Sequence, residues 1–587
     1  ENAERIGRQN SKKISVIIGN PPYNANQLNE NENNKNREYP VIDKRIKETH
    51  IANSTAQKTK MYDMYSRFYR WAGDRINEKG IVAFITNRSF LDSRTFDGFR
   101  KVVADEFSDI YIVDLGGDVR KNPKLSGPKN NVFAIQTGVA IAFMVKTPKK
   151  GIQKSKIYYA RRPELEEAHE KLEFLNSNKL SNIEFKLLQP DNKNNWLNQP
   201  DNSWDELIPV AIKDKKNVKR GTISSSIFSD YFLGVSTNRD EWVYDIEKEN
   251  LNNKVGFFID KYNEQVDGLR SRNIDDISDN IDYSIKWSDA LKRNLLQKKK
   301  ISKNNDLSIS CLYRPFTNRE FYSEKIMSDR LTENHYKFFG EKLVNENTLI
   351  AFSSGSSSKS FCALASKLVV DLHLIGDSQC LSLYYFDNAG NRTENITDFA
   401  LKCFRGNYND KTITKLDIFH YTYAVLHNPQ YKEEYRLNLK LESPRIPLYK
   451  DFWQWAGWGK QLMDLHLGFE QADKYPLVRD DKTQENKQKG ITPKLKAVKD
   501  KGMIEVDSLT TLSGIPKEAW DYRLGTYSAL EWILEGYKEK NPKDPTIREK
   551  FNTYRFADYK EQVIDLLMRV CTVSVETIKI INQMPKE

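Results

Sequence analysis

The sequence is poor in the residues that build covalent or metal-held frameworks. Its five cysteines stand at 311, 362, 380, 403 and 571, with no CxxC pair and no histidine at zinc-ligand spacing. That excludes a disulfide scaffold and a zinc-finger-type metal site, and it points to reduced thiols in a cytoplasmic protein. No apolar run approaches the ~18 residues of a membrane span, and the opening ENAERIGRQNSKK lacks the apolar core of a signal peptide. No repeat period emerges. What is present is a chain of 587 residues, 39% hydrophobic and 11% aromatic, enough to bury sizeable cores in two to four domains of about 150 residues each. The 92 basic and 81 acidic residues leave a net charge of +11. This is compatible with a polyanionic partner but too dilute to establish one. The chain starts without Met and reaches a buried-type strand within its first twenty residues, so it is expected to be a piece of a longer polypeptide.

From Ile14 to about Arg161, short apolar runs alternate with amphipathic stretches, the pattern of an α/β domain with a largely parallel sheet. The runs predict strands at Ile14–Gly19, Ile81–Thr86, Ile110–Leu115 and Gly138–Val145, with helices around Met61–Ile76 and Phe96–Phe107. The last two strands are expected to form an antiparallel edge, joined by the Gly/Pro/Asn-rich loop from Gly116 to Asn131. Four strands and two helices are few for a doubly wound domain, so the front of the sheet is expected to be missing. Residues 163–221, charged and Asn-rich, read as a connector with Trp196 and Trp204 as isolated anchors. Residues 222–587 read as a mixed α+β domain with a helical C-terminal part, in which Ile418–Leu439 is helical with an interruption at Pro429. The segment 480–503 reads as a solvated loop or hairpin connection.

The sharpest chemical signal is Asn20-Pro21-Pro22-Tyr23, directly after the strand ISVIIG. An exocyclic amine conjugated to a base ring attacks a methyl group only when its lone pair is drawn out of the ring. Acceptors must therefore hold the amino hydrogens while the methyl donor approaches along the lone pair. The Asn20 side-chain oxygen and the Pro21 carbonyl are suited to that task, and the two prolines stiffen the turn that aims them. Tyr23 offers a face on which a base swung out of a duplex stacks. The residues alone leave open an ordinary Pro-rich turn, and NPPY chemistry also serves RNA and protein-glutamine methylation. This constellation resembles the catalytic motif of N6-adenine DNA methyltransferases.

Longer segments narrow the resemblance. GIVAFITNRSFL (80–91), IYIVDLGGD (110–118) and NVFAIQTGVAIAFMVK (131–146) follow in the order of an amino-methyltransferase domain. IFSDYFLGVSTNRDEWVYD (227–245), YRPFTNREFY (313–322), the stretch 417–448 and LSGIPKEAWDYRLGTYSALEWIL (512–534) resemble the specificity half of type ISP restriction-modification enzymes. In that family one polypeptide joins a nuclease, a helicase-type ATPase, an adenine methyltransferase and a target recognition domain. The resemblance implies a partial Rossmann-like methyltransferase domain over 1–162, a connector over 163–221 and target recognition over 222–587. It further implies S-adenosylmethionine as methyl donor and a specific double-stranded DNA site as partner. Asn20, Pro21, Pro22 and Tyr23 match the catalytic loop. Phe133 is the candidate for a second aromatic wall of the adenine pocket, with plain core packing as its alternative; Phe90 is the fallback, with the core role favoured.

One departure stands out. The family's glycine-rich cofactor turn and ribose-holding acid lie upstream of NPPY, and the nineteen residues before Asn20 have no room for them. DLGGD at 114–118 resembles such a turn, but the VRKNPKLSG that follows is unsuited to open a helix over a cofactor; SSGSSSKS at 353–360 lacks the glycine spacing of a phosphate loop. The cofactor half is therefore expected outside the chain. This leaves a second reading, a DNA-binding specificity module without catalysis of its own. The Asn-rich 24–39 is either a loop closing over DNA or a low-complexity insertion. Lys213, Lys215, Lys216, Lys219 and Arg220, with Lys298, Lys299 and Lys300, are candidates for phosphate contacts, and Arg239, Arg314, Arg319 and Arg445 for base edges. Each of these also has a structural alternative, as a solvated face or an ion-pair partner. His420 and His427 read as core or cap residues, and no metal site is expected.

Overall fold

The apolar run at the head of the chain forms β1 (Ile14–Gly19), one edge of a six-stranded sheet. The other strands are β2 (Ile76–Asn87), β3 (Asp109–Gly116), β4 (Val139–Lys146), β5 (Lys156–Arg161) and β6 (Lys186–Leu188), in the order β1-β2-β4-β3-β5-β6. β1 runs parallel to β2, with Ile17 opposite Val82 and Gly19 opposite Phe84. β4 lies antiparallel to both β2 and β3, and β5 is parallel to β3, so the β3–β4 pair is antiparallel as expected but sits inside the sheet and not at its edge, because β1–β2 flank it on one side and β5–β6 on the other. The two-residue period of the strands sends Val82 and Phe84 into a core shared with Tyr65 and Tyr69 of the Met64–Arg75 helix and Phe99 and Val103 of the Asp97–Glu106 helix. On β1 the outward residues Val16 and Ile18 stay 56% and 79% exposed, and nothing described pairs with the free side of the strand.

The computed structural model describes residues 2–12, 14–23, 39–54, 63–119, 125–148, 154–191, 193–197, 202–212, 226–269, 278, 281–353, 360–387, 389–482 and 491–585. The chain divides into two units, Glu1–Asp201 and Asn202–Glu587. The boundary falls inside the segment expected as a connector. Its first part forms the Ala168–Ser177 helix and β6, and Trp196 is buried in the first unit's core, whereas Trp204 is buried in the second's. Charged, Asn-rich composition conceals these elements, because the helix contributes only one side, with Phe174 and Leu175, to a small satellite core. Residues 213–225 lie outside the described ones, as do 24–38 of the Asn-rich stretch and 354–359 of the serine run.

The second unit is mixed α+β. A four-stranded antiparallel sheet orders Ala363–Ser366, Leu349–Ser353, Ser378–Ser382 and Phe232–Leu233 side by side, and a second orders Val478–Asp481, Thr510–Ser513, Met503–Asp507 and Pro493–Val498. Of the loop or hairpin connection expected over 480–503, the structure has the hairpin, Pro493–Val498 pairing with Met503–Asp507. Leu495 faces the core between exposed Lys494 and Lys496, a strand period that the lysines hide. The helix Lys415–His427 ends where expected, at Pro429. The Asn428 side chain accepts from Tyr431 N at 2.7 Å and starts the next short helix. His427 is buried with Nδ1 2.8 Å from the Tyr423 carbonyl, and burial pushes its pKa well below the ordinary value; His420 is half-buried.

The Lys415–His427 helix crosses the Phe452–Leu467 helix at Gly459, where an added Cβ would stand 1.8 Å from the His420 carbonyl oxygen. Gly459→Ala must push the two backbones apart, and the expected loss is about 1–3 kcal/mol of stability. Urea unfolding of the variant measures it. An unchanged midpoint would show that the helices do not approach so closely.

Candidate active site and the protein's relatives

The turn Asn20–Tyr23 leaves the C-terminal end of β1, the end of a strand where α/β folds place their ligands. Pro21 is buried and Pro22 exposed, so the turn is anchored on one side and open on the other. The Tyr23 hydroxyl donates to Asn20 Oδ1 at 2.8 Å and also lies 3.2 Å from the Ile85 carbonyl on β2. Burial raises the Tyr23 phenol to about 12, so it stays a protonated donor at neutral pH. The Pro21 carbonyl accepts no hydrogen bond from the described residues. An amide oxygen held by one donor and a carbonyl oxygen with none thus belong to adjacent residues of a turn open on one side.

Phe133 stands beside this turn, its ring centroid 6.1 Å from that of Tyr23 and the planes 58° apart. It is 40% exposed, an unusual position for a large aromatic, and its loop holds it there. The Asn131 side chain donates to the Gly117 and Thr137 carbonyls at 3.2 and 2.8 Å, and its Oδ1 accepts from Phe133 N at 2.9 Å. Gly117 has φ +76°, and a Cβ there would stand 2.8 Å from the Asn130 carbonyl oxygen, so the loop demands glycine at that point. Phe90 is fully buried against Tyr69 and Phe99, with ring centroids 5.7 and 5.8 Å away. This core position removes it as a pocket wall.

DLGGD is occupied by structural work. Asp114 is fully buried; its Oδ1 accepts from Arg88 Nε and Gly116 N at 2.9 and 3.0 Å, and its Oδ2 accepts from Arg88 Nη2 and the Tyr159 hydroxyl at 2.9 and 2.8 Å. Both carboxylate oxygens are committed to the protein, leaving none to hold a ribose. Arg88 also binds Asp92 at 2.9 Å, and its backbone N–H donates to the Gly138 carbonyl. Sequence reasoning missed this network. Its trace in the sequence is a pair of opposite charges set at apolar strand ends, in FITNRSF and IVDLG.

The arginines proposed for base edges are engaged inside the second unit. Arg239 is buried and binds Asp329 at 3.1 Å, the Met327 carbonyl at 2.6 Å and the Ser288 hydroxyl at 2.6 Å. Arg314 binds Asp371 at 2.6 Å and lies over the Tyr313 ring. Arg319 donates to the Gly536 carbonyl at 2.7 Å and lies over Tyr537; Arg445 meets Asp205 and Glu442 at 3.5 and 3.7 Å. Each takes its structural alternative, because a fork that already binds a carboxylate, carbonyl or ring has little left for guanine. Lys213, Lys215, Lys216, Lys219 and Arg220 lie outside the described residues. Lys298, Lys299 and Lys300 are exposed, with Lys300 paired to Asp267.

Comparisons with known proteins agree with this layout. Residues 226–566, more than half of the chain, match the family model of the type ISP C-terminal specificity domain, and residues 1–120 match that of the Eco57I restriction-modification methylase. The DrdV–DNA complex is similar over the whole chain, with 48% identity and a TM-score of 0.87. A nuclease-deletion mutant of the type ISP enzyme LlaGI with a DNA substrate mimic shows 30% identity and a TM-score of 0.80, and the ATP-dependent type ISP enzyme LlaBIII bound to DNA shows 28% and 0.82. The chain spans 58%, 46% and 38% of those three chains. No curated protein sequence matches. A methylase-like unit followed by a matched specificity domain places the chain in the type ISP restriction-modification enzymes.

Proposed function

We propose that this chain is the methyl-transferring and target-recognising portion of a site-specific adenine-N6 DNA methyltransferase, acting on an adenine turned out of duplex DNA. The observation that carries the reading is the Asn20–Pro21 acceptor pair at the end of β1 with Tyr23 and Phe133 beside it. Asn20 Oδ1 and the Pro21 carbonyl accept the two amino hydrogens of the base and draw the nitrogen lone pair out of the ring plane. Tyr23 supplies a stacking face and Phe133 a second, tilted wall. The target base has to leave the duplex, since its amine is otherwise engaged in the pair and stack. S-adenosylmethionine supplies the electrophilic methyl group. The DLGGD turn does not offer a cradle for it, because Asp114 is committed to Arg88 and Tyr159 and the Gly116–Gly117 turn carries the Phe133 loop.

The open side of β1, with Val16 and Ile18 uncovered, is where this reading places the cofactor-binding strands of a longer parent polypeptide, which also carries the nuclease and helicase-type parts. In this scheme residues 1–162 hold the catalytic part and 222–587 the recognition part. All five cysteines are free thiols, consistent with a cytoplasmic enzyme. The same uncovered edge favours a second reading, in which the chain alone is only a DNA-binding specificity module.

The test is a duplex carrying 2-aminopurine at the target adenine. It should brighten with the native enzyme and less with Tyr23→Ala, since stacking on an aromatic contributes about 1–3 kcal/mol per base. Equal brightening would show that Tyr23 does not receive the base.

A further inference from the structure

Residues 286–303 of the second unit, KWSDALKRNLLQKKKISK, hold seven basic residues and one acidic, a net +6 in a chain whose total is +11. Their centre is the helix Asp289–Leu296, which buries Leu291 and Leu295 and so turns Lys292 and Arg293 outward. Lys286, Arg293, Lys298, Lys299 and Lys303 are exposed, and none has a carboxylate partner among the described residues. The ridge is held in place. The Tyr262 hydroxyl donates to the Lys299 carbonyl at 2.9 Å, and Asn263 exchanges two hydrogen bonds with the backbone of Ile301. Arg239 binds the Ser288 hydroxyl that caps the helix, so this arginine braces the ridge from within.

Beside the helix lies a cleft of about 490 Å³ lined by Tyr283, Trp287 and Trp242, with Lys286, Lys292 and Lys543 at its edge. Tyr283 is 63% exposed. Three of the four acids of the cleft are engaged within the protein: Glu241 accepts from the Lys543 and Asp544 N–H groups, Asp544 from the Trp242 indole and Asp240 from the Tyr313 hydroxyl, whereas Asp289 is exposed. Lys286 and Lys543 are exposed, and Lys292 Nζ donates to Ser278 Oγ at 2.9 Å.

We propose that this ridge and cleft clamp the sugar-phosphate backbone of the target duplex, positioning the DNA without reading its sequence. The inference rests on the DNA-methylating reading above and names the surface that holds its partner. An eight-residue helix is about 12 Å long, and phosphates follow one another every ~3.4 Å of axis along a strand, so the ridge faces about three or four of them. Exposed cations that lack carboxylate partners are the groups such a backbone would neutralise, releasing its counterions.

The experiment combines Lys286→Gln, Arg293→Gln, Lys298→Gln and Lys299→Gln in the full chain and measures affinity for a target duplex and a scrambled duplex over a salt series. These side chains are exposed, so the circular dichroism spectrum should not change. Each lost phosphate contact lowers the slope of log K against log salt by about 0.9, so a slope shallower by about 3–4 is expected, with the preference for the target unchanged. A slope equal to that of the unmodified chain would overturn the assignment while leaving the DNA-methylating reading intact. Loss of target preference at an unchanged slope would also overturn it, by showing base readout. If the unmodified chain bound neither duplex, both the ridge and the reading beneath it would fall.

Discussion

Asn20→Ala in the intact enzyme is expected to lower adenine methylation by roughly 10²–10³-fold, the usual consequence of removing one preorganised hydrogen-bonding group at a reacting centre. Affinity for the target duplex should stay within a few fold. The separation follows from where Asn20 sits. Its oxygen is one acceptor at the end of β1, held by the Tyr23 hydroxyl at 2.8 Å, and it contributes little surface to any interface. In the proposed reaction that hydrogen bond keeps the amide oriented, so that the base amine would meet an oxygen already aimed. Single-turnover methylation and duplex titration measure the two quantities independently. Equal losses in both would mean that Asn20 binds DNA rather than acting on the amine.

The second large effect is on folding. Asp114→Ala leaves the buried Arg88 guanidinium without its two-point partner and the Tyr159 hydroxyl without its acceptor. Removing one member of a buried ion pair typically costs about 3–5 kcal/mol, because the remaining charge is stranded away from water. The first unit should lose that much stability in a denaturant titration followed by a probe within residues 1–201. A double change, Arg88→Met with Asp114→Leu, should recover part of it, since the facing charges leave together and only Asp92 loses a partner. Asp114 also holds Gly116 N, at the start of the loop that presents Phe133, so the single variant should disturb the aromatic wall as well as the core. A single variant as stable as the native chain would show that water reaches Arg88.

The strands and helices of the first unit could be read because its apolar periods are long and uninterrupted: ISVII, IVAFIT and VAIAFMV each form a strand within a few residues of expectation. Several of the elements that escaped contribute little to the core, although β5, also missed, buries Ile157 completely. β6 is three residues long, and the Pro493–Val498 strand hides one buried Leu495 among lysines. The place of the NPPY turn at the end of β1 was legible because an apolar strand followed by two prolines is a local signal. The Arg88–Asp114–Tyr159 network was not, since it joins residues on three separated strand ends that only the sheet order brings together. The four arginines show the same limit from the other side. Arginine suits guanine edges and carboxylates equally, and only the packed structure reveals that the carboxylates, carbonyls and rings have taken them.

The most direct test follows the methyl group itself. Full-length enzyme containing this chain is incubated with duplex DNA and isotopically labelled S-adenosylmethionine, and the DNA is digested to nucleosides for mass analysis. The account predicts label in N6-methyldeoxyadenosine at one adenine of a defined sequence, and none with Asn20→Ala. Label in N4-methyldeoxycytidine, in RNA or in a protein glutamine would contradict it.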